Sequence, residues 1–261
     1  MRFLVVLMLL VSTAGFAQKR KKDKEPAQPA QTQQQPAATQ TQPQPQQDVQ
    51  ATDTIPSAGM ILTEHFLKKY SAASRWNDAD VAKDALYDVI VENPGIDSLI
   101  YSLAYFYYEQ EKFASSLLIS QDLLARDEKN PMYLEMAASS AQQLGVSDKA
   151  LQFYESLYLI NDNIRTLYQI AFLQYQTKRT AECKTSIDIL MAKPAVNTEK
   201  VVYDDAKGVA KEYPMKVSVL NLKGMLLLEQ NDKAGAKKAF TDCLALAPDF
   251  ALAKANLEKT K

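Results

Sequence analysis

From about Ser57 to Lys261, one recurrence constrains this sequence more than any other feature. Apolar side chains return at i, i+3, i+4 and i+7, the spacing that lines one face of an α-helix. Turn-forming residues interrupt the pattern at Asn93-Pro94-Gly95, Asn130-Pro131, Gly145, Asn161-Asp162-Asn163, Pro194 and Pro248. The result is a series of helix pairs that repeats about every 34 residues. One such pair cannot bury its own apolar face. Pairs must stack side by side, each against its neighbours, so the chain is expected to form an all-α array. Gly is rare, 7 in 261 residues, so few helix interiors are weakened.

The last unit carries the pattern most fully: Leu220, Lys223-Gly224 and Leu227, then Ala236, Phe240, Cys243 and Pro248. The first has Phe66, Tyr70, Ala73, Ala82, Leu86, Val89 and Pro94. The second has Ile100, Leu103, Ala104, Tyr107, Ser116 and Leu123. The third has Leu134, Ala138, Ala141, Gly145, Ala150, Tyr154 and Leu157, and the fourth Leu167, Ala171, Cys183, Ile187 and Leu190. Together these units resemble the tetratricopeptide repeat (TPR) over about residues 60–250. No unit carries the family's Trp, and only two keep its Pro. The resemblance implies a TPR-like α-α superhelix, a solenoid of about five repeats. Its first helices would line a concave groove. Phe250 to Lys259 would close it as a C-terminal capping helix with a polar outer face.

Between the fourth and fifth units lie about 19 extra residues, 198–216. Val201 and Tyr203 alternate with polar residues, and Val209, Lys211 and Tyr213 do so more loosely. Asp205-Ala206-Lys207-Gly208 can turn between them. This predicts an inserted β-hairpin, with an irregular loop as the alternative. Deleting Lys200 to Tyr213 is then expected to leave the array folded, because repeat stability comes from neighbour interfaces.

The N-terminus reads as an address. Arg2, the apolar run Phe3 to Val11, and Gly15 and Ala17 before Gln18 form a secretory signal pattern over 1–17. The run is shorter than the roughly 20 residues that a membrane-spanning helix needs. A periplasmic or secreted location is expected, with no stable membrane insertion after cleavage and a retained N-terminal anchor as the alternative. Residues 18–57 open with a basic stretch and continue as Gln, Pro, Ala and Thr, a composition expected of a disordered linker. The repeat domain then occupies 58–261.

Residues 101–110 read YSLAYFYYEQ. Tyr101, Tyr105 and Tyr108 share one helix face, while Ile100, Leu103, Ala104 and Tyr107 take the packing positions. Tyr168, Phe172 and Tyr175 repeat that spacing in the fourth unit, and Glu135, Ser139 and Gln142 lie between in the third. The resemblance implies that these positions face the groove, giving two aromatic walls and a polar strip, with Arg75, Glu109 and Arg165 on the same side. Tyrosine suits polypeptide recognition, since it buries a large ring and keeps a polar tip. The same stripes also suit ordinary packing between adjacent first helices. Both readings remain open in the sequence.

Other chemistry finds little support. His65 is the one His, which gives neither a metal set nor a Ser-His-Asp arrangement. No Gly-rich phosphate loop is present. Asp204-Asp205 at the hairpin turn is expected to be solvated. Cys183 and Cys243 sit at small-residue positions and are expected to be buried free thiols, with a disulfide as the alternative. Trp76 is expected to cap apolar surface. Net charge is −1, which with export argues against nucleic acid. No cofactor is expected. The function expected is a non-enzymatic protein-interaction scaffold of the cell envelope, binding a protein or peptide partner in the groove. The alternative is a structural or assembly subunit that uses the convex face or the hairpin.

Overall fold

In this computed structural model the described residues are 57–204 and 209–261. The signal pattern, the linker up to residue 56 and the hairpin turn 205–208 lie outside them. Helices pair off in chain order: α1 (Ala58–Arg75) with α2 (Ala79–Glu92), α3 (Asp97–Glu109) with α4 (Phe113–Arg126), α5 (Pro131–Gln143) with α6 (Ser147–Asn161), α7 (Ile164–Gln176) with α8 (Thr180–Ala192), and α9 (Met215–Glu229) with α10 (Lys233–Leu246). α11 (Ala251–Glu258) follows alone. The fold is the TPR-like helical array that the period implies.

Local chemistry sets the helix starts. Ser57, Asp78, Asn130, Asn163 and Asp232 each cap a helix with a side-chain oxygen on an otherwise unpaired backbone N–H. Pro131 follows its cap at the first helical position, where its missing N–H costs nothing. The second helices start 34, 34, 33 and 53 residues apart. Within every pair, the residue two before the second helix is left-handed: Asn77 (φ 56°), Glu111 (56°), Gly145 (74°), Lys178 (61°) and Asn231 (61°). One turn geometry is therefore repeated five times, and only once by Gly.

Small side chains let the helices approach. Ala85, Ala104, Ala137, Ala138, Ala141, Ala150, Ala171 and Ala236 are fully buried. Gly224 goes further: a Cβ there would lie 2.4 Å from Cε1 of Phe240 on the facing helix. Three core clusters run along the array, and each crosses a boundary between units. Leu117, Leu134, Leu151 and Leu173 belong to the first, Leu167, Ile187, Met215 and Leu222 to the second, and Val217, Phe240 and Phe250 to the third.

The long step holds an antiparallel hairpin, β1 (Lys200–Asp204) with β2 (Ala210–Pro214), pairing Val201 with Tyr213 and Tyr203 with Lys211. A 3-10 turn, Pro194–Asn197, leads into it and buries Val196. The expectation that the hairpin is dispensable needs revision. Tyr213 is buried in the third cluster, with Val201 and Tyr203 packed against it. The rings of Tyr203 and Tyr213 each meet Phe250 edge-on at 5.2 Å. Trp76 also departs from expectation. It is 74% exposed. Cys183 and Cys243 are buried free thiols in different clusters.

Candidate functional site

Helix α3 turns Leu103 and Ala104 into the core, which leaves its tyrosines on other faces. They do not behave alike. Tyr101 is half-buried, its ring 5.8 Å from that of Tyr133. Tyr108 is half-buried, edge-on to Phe113 at 5.3 Å. Tyr105, between them, is 47% exposed. Tyr101 and Tyr105 line a cleft of about 440 Å³ between α1, the start of α2 and α3, with Tyr70 and Ser74 on the opposite wall and Glu109 at its end. Desolvation, and then the negative charge of the nearby Glu109 carboxylate, hold the Tyr105 hydroxyl above the ordinary tyrosine range. Desolvation and Glu135 do the same for Tyr101.

The strip on α5 is polar, but part of it is already engaged. Glu135 is exposed. Gln142 accepts from the Tyr154 hydroxyl at 3.0 Å and donates to Gln169 Oε1 at 3.3 Å, which joins α5, α6 and α7. Ser139 lies 3.4 Å from the same Tyr154 hydroxyl. Burial holds that hydroxyl well above its ordinary range, so Tyr154 serves this network as a neutral phenol.

The α7 stripe is more enclosed. Tyr168, Phe172 and Tyr175 are half-buried against the second core cluster. The Tyr168 hydroxyl is 3.1 Å from that of Tyr203 on the hairpin. Lys178 Nζ lies 5.4 Å from the ring centre of Tyr175 and 2.6 Å from the Glu229 carboxylate. Arg165 pairs with Glu199 and donates to the Lys200 carbonyl at 2.8 Å, so it serves the hairpin. The two aromatic stripes are therefore unequal: α3 presents a ring to solvent, and α7 is covered at both ends by its own chain.

Sequence reasoning placed Tyr70 among packing positions, and the structure puts it on the cleft wall. No sequence signal gives the separation of α1 from α3 that opens the cleft. Among the described residues no three side chains of His, Cys, Asp or Glu gather to hold a metal ion, and no helix is long and apolar enough to cross a membrane.

No protein-family model matches the chain, and no curated protein matches it by sequence. Solved structures do match it in fold. YrrB, described as a TPR protein with an unusual peptide-binding site, superposes with a TM-score of 0.60 at 11% identity, over 77% of this chain and 98% of that one. MamA from residue 41 onward, of Desulfovibrio magneticus RS-1, gives 0.56 at 10% identity, over 72% and 97%. A crystal structure of MamA AMB-1 gives 0.56 at 12% identity, over 75% and 97%. At such identities the likeness is one of fold: a TPR-like helical repeat array.

Proposed function

We propose that this chain is a non-enzymatic interaction scaffold of the cell envelope that binds a polypeptide segment on the first-helix side of its array. The observation that carries this reading is Tyr105, a large ring held exposed at the mouth of an aromatic cleft while its neighbours Leu103 and Ala104 are buried. Rigid tyrosines at low entropy cost are favoured contact residues. The TPR-like fold supports the reading, and one fold neighbour is described as having a peptide-binding site. Tyr101, Tyr105 and Tyr108 with Glu135 form the primary surface in this proposal. In the same proposal Gln142, Tyr168, Phe172 and Tyr175 extend it along the later first helices, α5 and α7. The envelope location rests on the signal pattern at 1–17. Assembly through the hairpin is the weaker reading, because Val201, Tyr203 and Tyr213 are turned into the chain's own core.

The test is site-specific photocrosslinking in cells. A photoreactive residue at Ser102, which lines the cleft, should give a discrete protein adduct. The same residue at Leu159, 87% exposed on α6, should not. Adducts at Leu159 alone would overturn the groove reading. N-terminal sequencing of the mature protein should begin at Gln18, and a retained Met1 would remove the export assignment.

A further inference from the structure

The chain contains its own example of how this array handles a cation. At the end of α9, Glu229 pairs with Lys178 at 2.6 Å, and the same ammonium lies 5.4 Å from the ring centre of Tyr175. A first-helix tyrosine and the last acid of another first helix thus share one lysine. The cleft between α1 and α3 presents the same two groups. Glu109 is the last residue of α3, and Tyr105 is one helical turn before it with its ring exposed. The described residues that line the cleft include two acids, Asp78 and Glu109, and no Lys, Arg or His. Arg75 follows Ser74 in sequence but does not line it. Asp78 already caps α2, so its carboxylate is fixed in place at the cleft wall.

We infer that this cleft takes a Lys or Arg side chain of an extended cationic segment in a partner protein, the cation lying over the Tyr105 ring and pairing with Glu109. The inference rests on the scaffold reading and names the chemistry of its partner. An aromatic face attracts a cation through its quadrupole, and a carboxylate beside it adds a charge-assisted hydrogen bond. Tyr101 and Tyr70 supply the apolar walls for the side-chain stem.

Fluorescence anisotropy on the full chain tests this with three labelled ten-residue peptides, alternating Ala-Lys, Ala-Gln and Ala-Glu. The lysine peptide should bind at least about tenfold more tightly than the glutamine peptide, and the glutamate peptide should be weakest. Glu109→Gln should weaken the lysine peptide about tenfold, and Glu128→Gln, an exposed acid between α4 and α5, should leave it unchanged. Equal binding of the lysine and glutamine peptides would overturn the inference. Equal losses from Glu109→Gln and Glu128→Gln would do so too, by showing undirected charge attraction. Tighter binding after Lys19, Arg20, Lys21 and Lys22 are all changed to Gln would make the chain's own basic stretch the competing occupant and remove the assignment to a partner. If Ser102 still crosslinks a partner while charge has no effect, the scaffold reading stands and the cationic assignment falls.

Discussion

The hydroxyls of Tyr168 and Tyr203 lie 3.1 Å apart and tie α7 to the hairpin. Tyr203 also packs edge-on to Phe250 at 5.2 Å, just ahead of α11. One hairpin side chain therefore joins the fourth unit to the end of the array. Removing a half-buried aromatic should cost about 2 kcal/mol, toward the lower end of core truncations. Tyr203→Ala should lower the urea midpoint accordingly. Tyr203→Phe, which removes only the hydrogen bond, should cost about 1 kcal/mol. Deleting Lys200 to Tyr213 should damage the cooperative melt, because buried Tyr213 leaves with it. An unchanged midpoint for Tyr203→Ala would return the hairpin to the status of a passive insertion.

Glu111 holds a φ of 56° in the turn between α3 and α4, where the matching residue of the third unit is Gly145. A left-handed backbone costs a non-Gly residue about 1–2 kcal/mol, part of which Gly loses again through its freer unfolded chain. Glu111→Gly should stabilise the protein by about 0.5–1 kcal/mol. Lys178 has the same geometry, but its ammonium is paired with Glu229, so Lys178→Gly should gain less. A Glu111→Gly midpoint below that of the parent would show that this turn carries no strain.

The helix pairs, their period and the hairpin were legible in the sequence because each rests on local spacing. Ala104 and Gly224 were legible because close helix contacts demand small residues at fixed positions. The left-handed turns carry a residue type suited to them at Gly145, Asn77 and Asn231. Glu111 and Lys178 adopt the same angle because the flanking helices impose it, and residue type gives no sign of that. The split between the two aromatic stripes was hidden for a different reason. Tyr101-Tyr105-Tyr108 and Tyr168-Phe172-Tyr175 have one spacing, yet only the second is met by Tyr203, from 35 residues away. Trp76, in the first interhelix turn, is expected to cap apolar surface, and here it projects outward.

Gly224 on α9 faces the ring of Phe240 on α10. A Cβ at 224 would sit 2.4 to 2.7 Å from three atoms of a ring that is fully buried. The ring is fully buried, so any shift must be taken up by the side chains packed around it, and Gly224→Ala should cost about 1–3 kcal/mol, the usual range for overpacking, despite Ala's better helix propensity. Adding Phe240→Leu should recover part of the loss. A double mutant no more stable than Gly224→Ala alone would show that the damage lies elsewhere.

Burial pushes the Cys183 thiol up to about 12, with Glu229 contributing, and burial alone does the same for Cys243. Thiolate is the reactive form, so neither should label with a disulfide reagent at pH 8 in the native protein, and both should label after denaturation. Unfolded thiols ionise near 9.0 and folded ones near 12, so the unfolded state loses protons first. Their contribution to stability is intact below about pH 9 and is lost as pH rises towards 12. Changing both to Ser should flatten that part of the stability profile. Rapid labelling of the native protein would contradict the burial.

Tyr105 separates the binding and packing readings of the aromatic stripe. Its ring is 47% exposed, whereas Leu103 and Ala104 beside it are buried. Its ring belongs to none of the three core clusters, so removing it opens no core. Tyr105→Ala should therefore move the melting midpoint little, by less than about 1 kcal/mol, as surface substitutions usually do. A central interface tyrosine typically contributes about 2 kcal/mol or more to binding, so capture of the partner should fall about thirtyfold. Tyr154→Ala gives the opposite pair of results. That side chain is buried, and its hydroxyl bonds Gln142 at 3.0 Å, so stability should fall by about 3–5 kcal/mol. Thermal melts beside crosslinking yields for the two variants make the comparison. If Tyr105→Ala melts early and its folded fraction still captures partner normally, Tyr105 is a packing residue and the groove assignment fails.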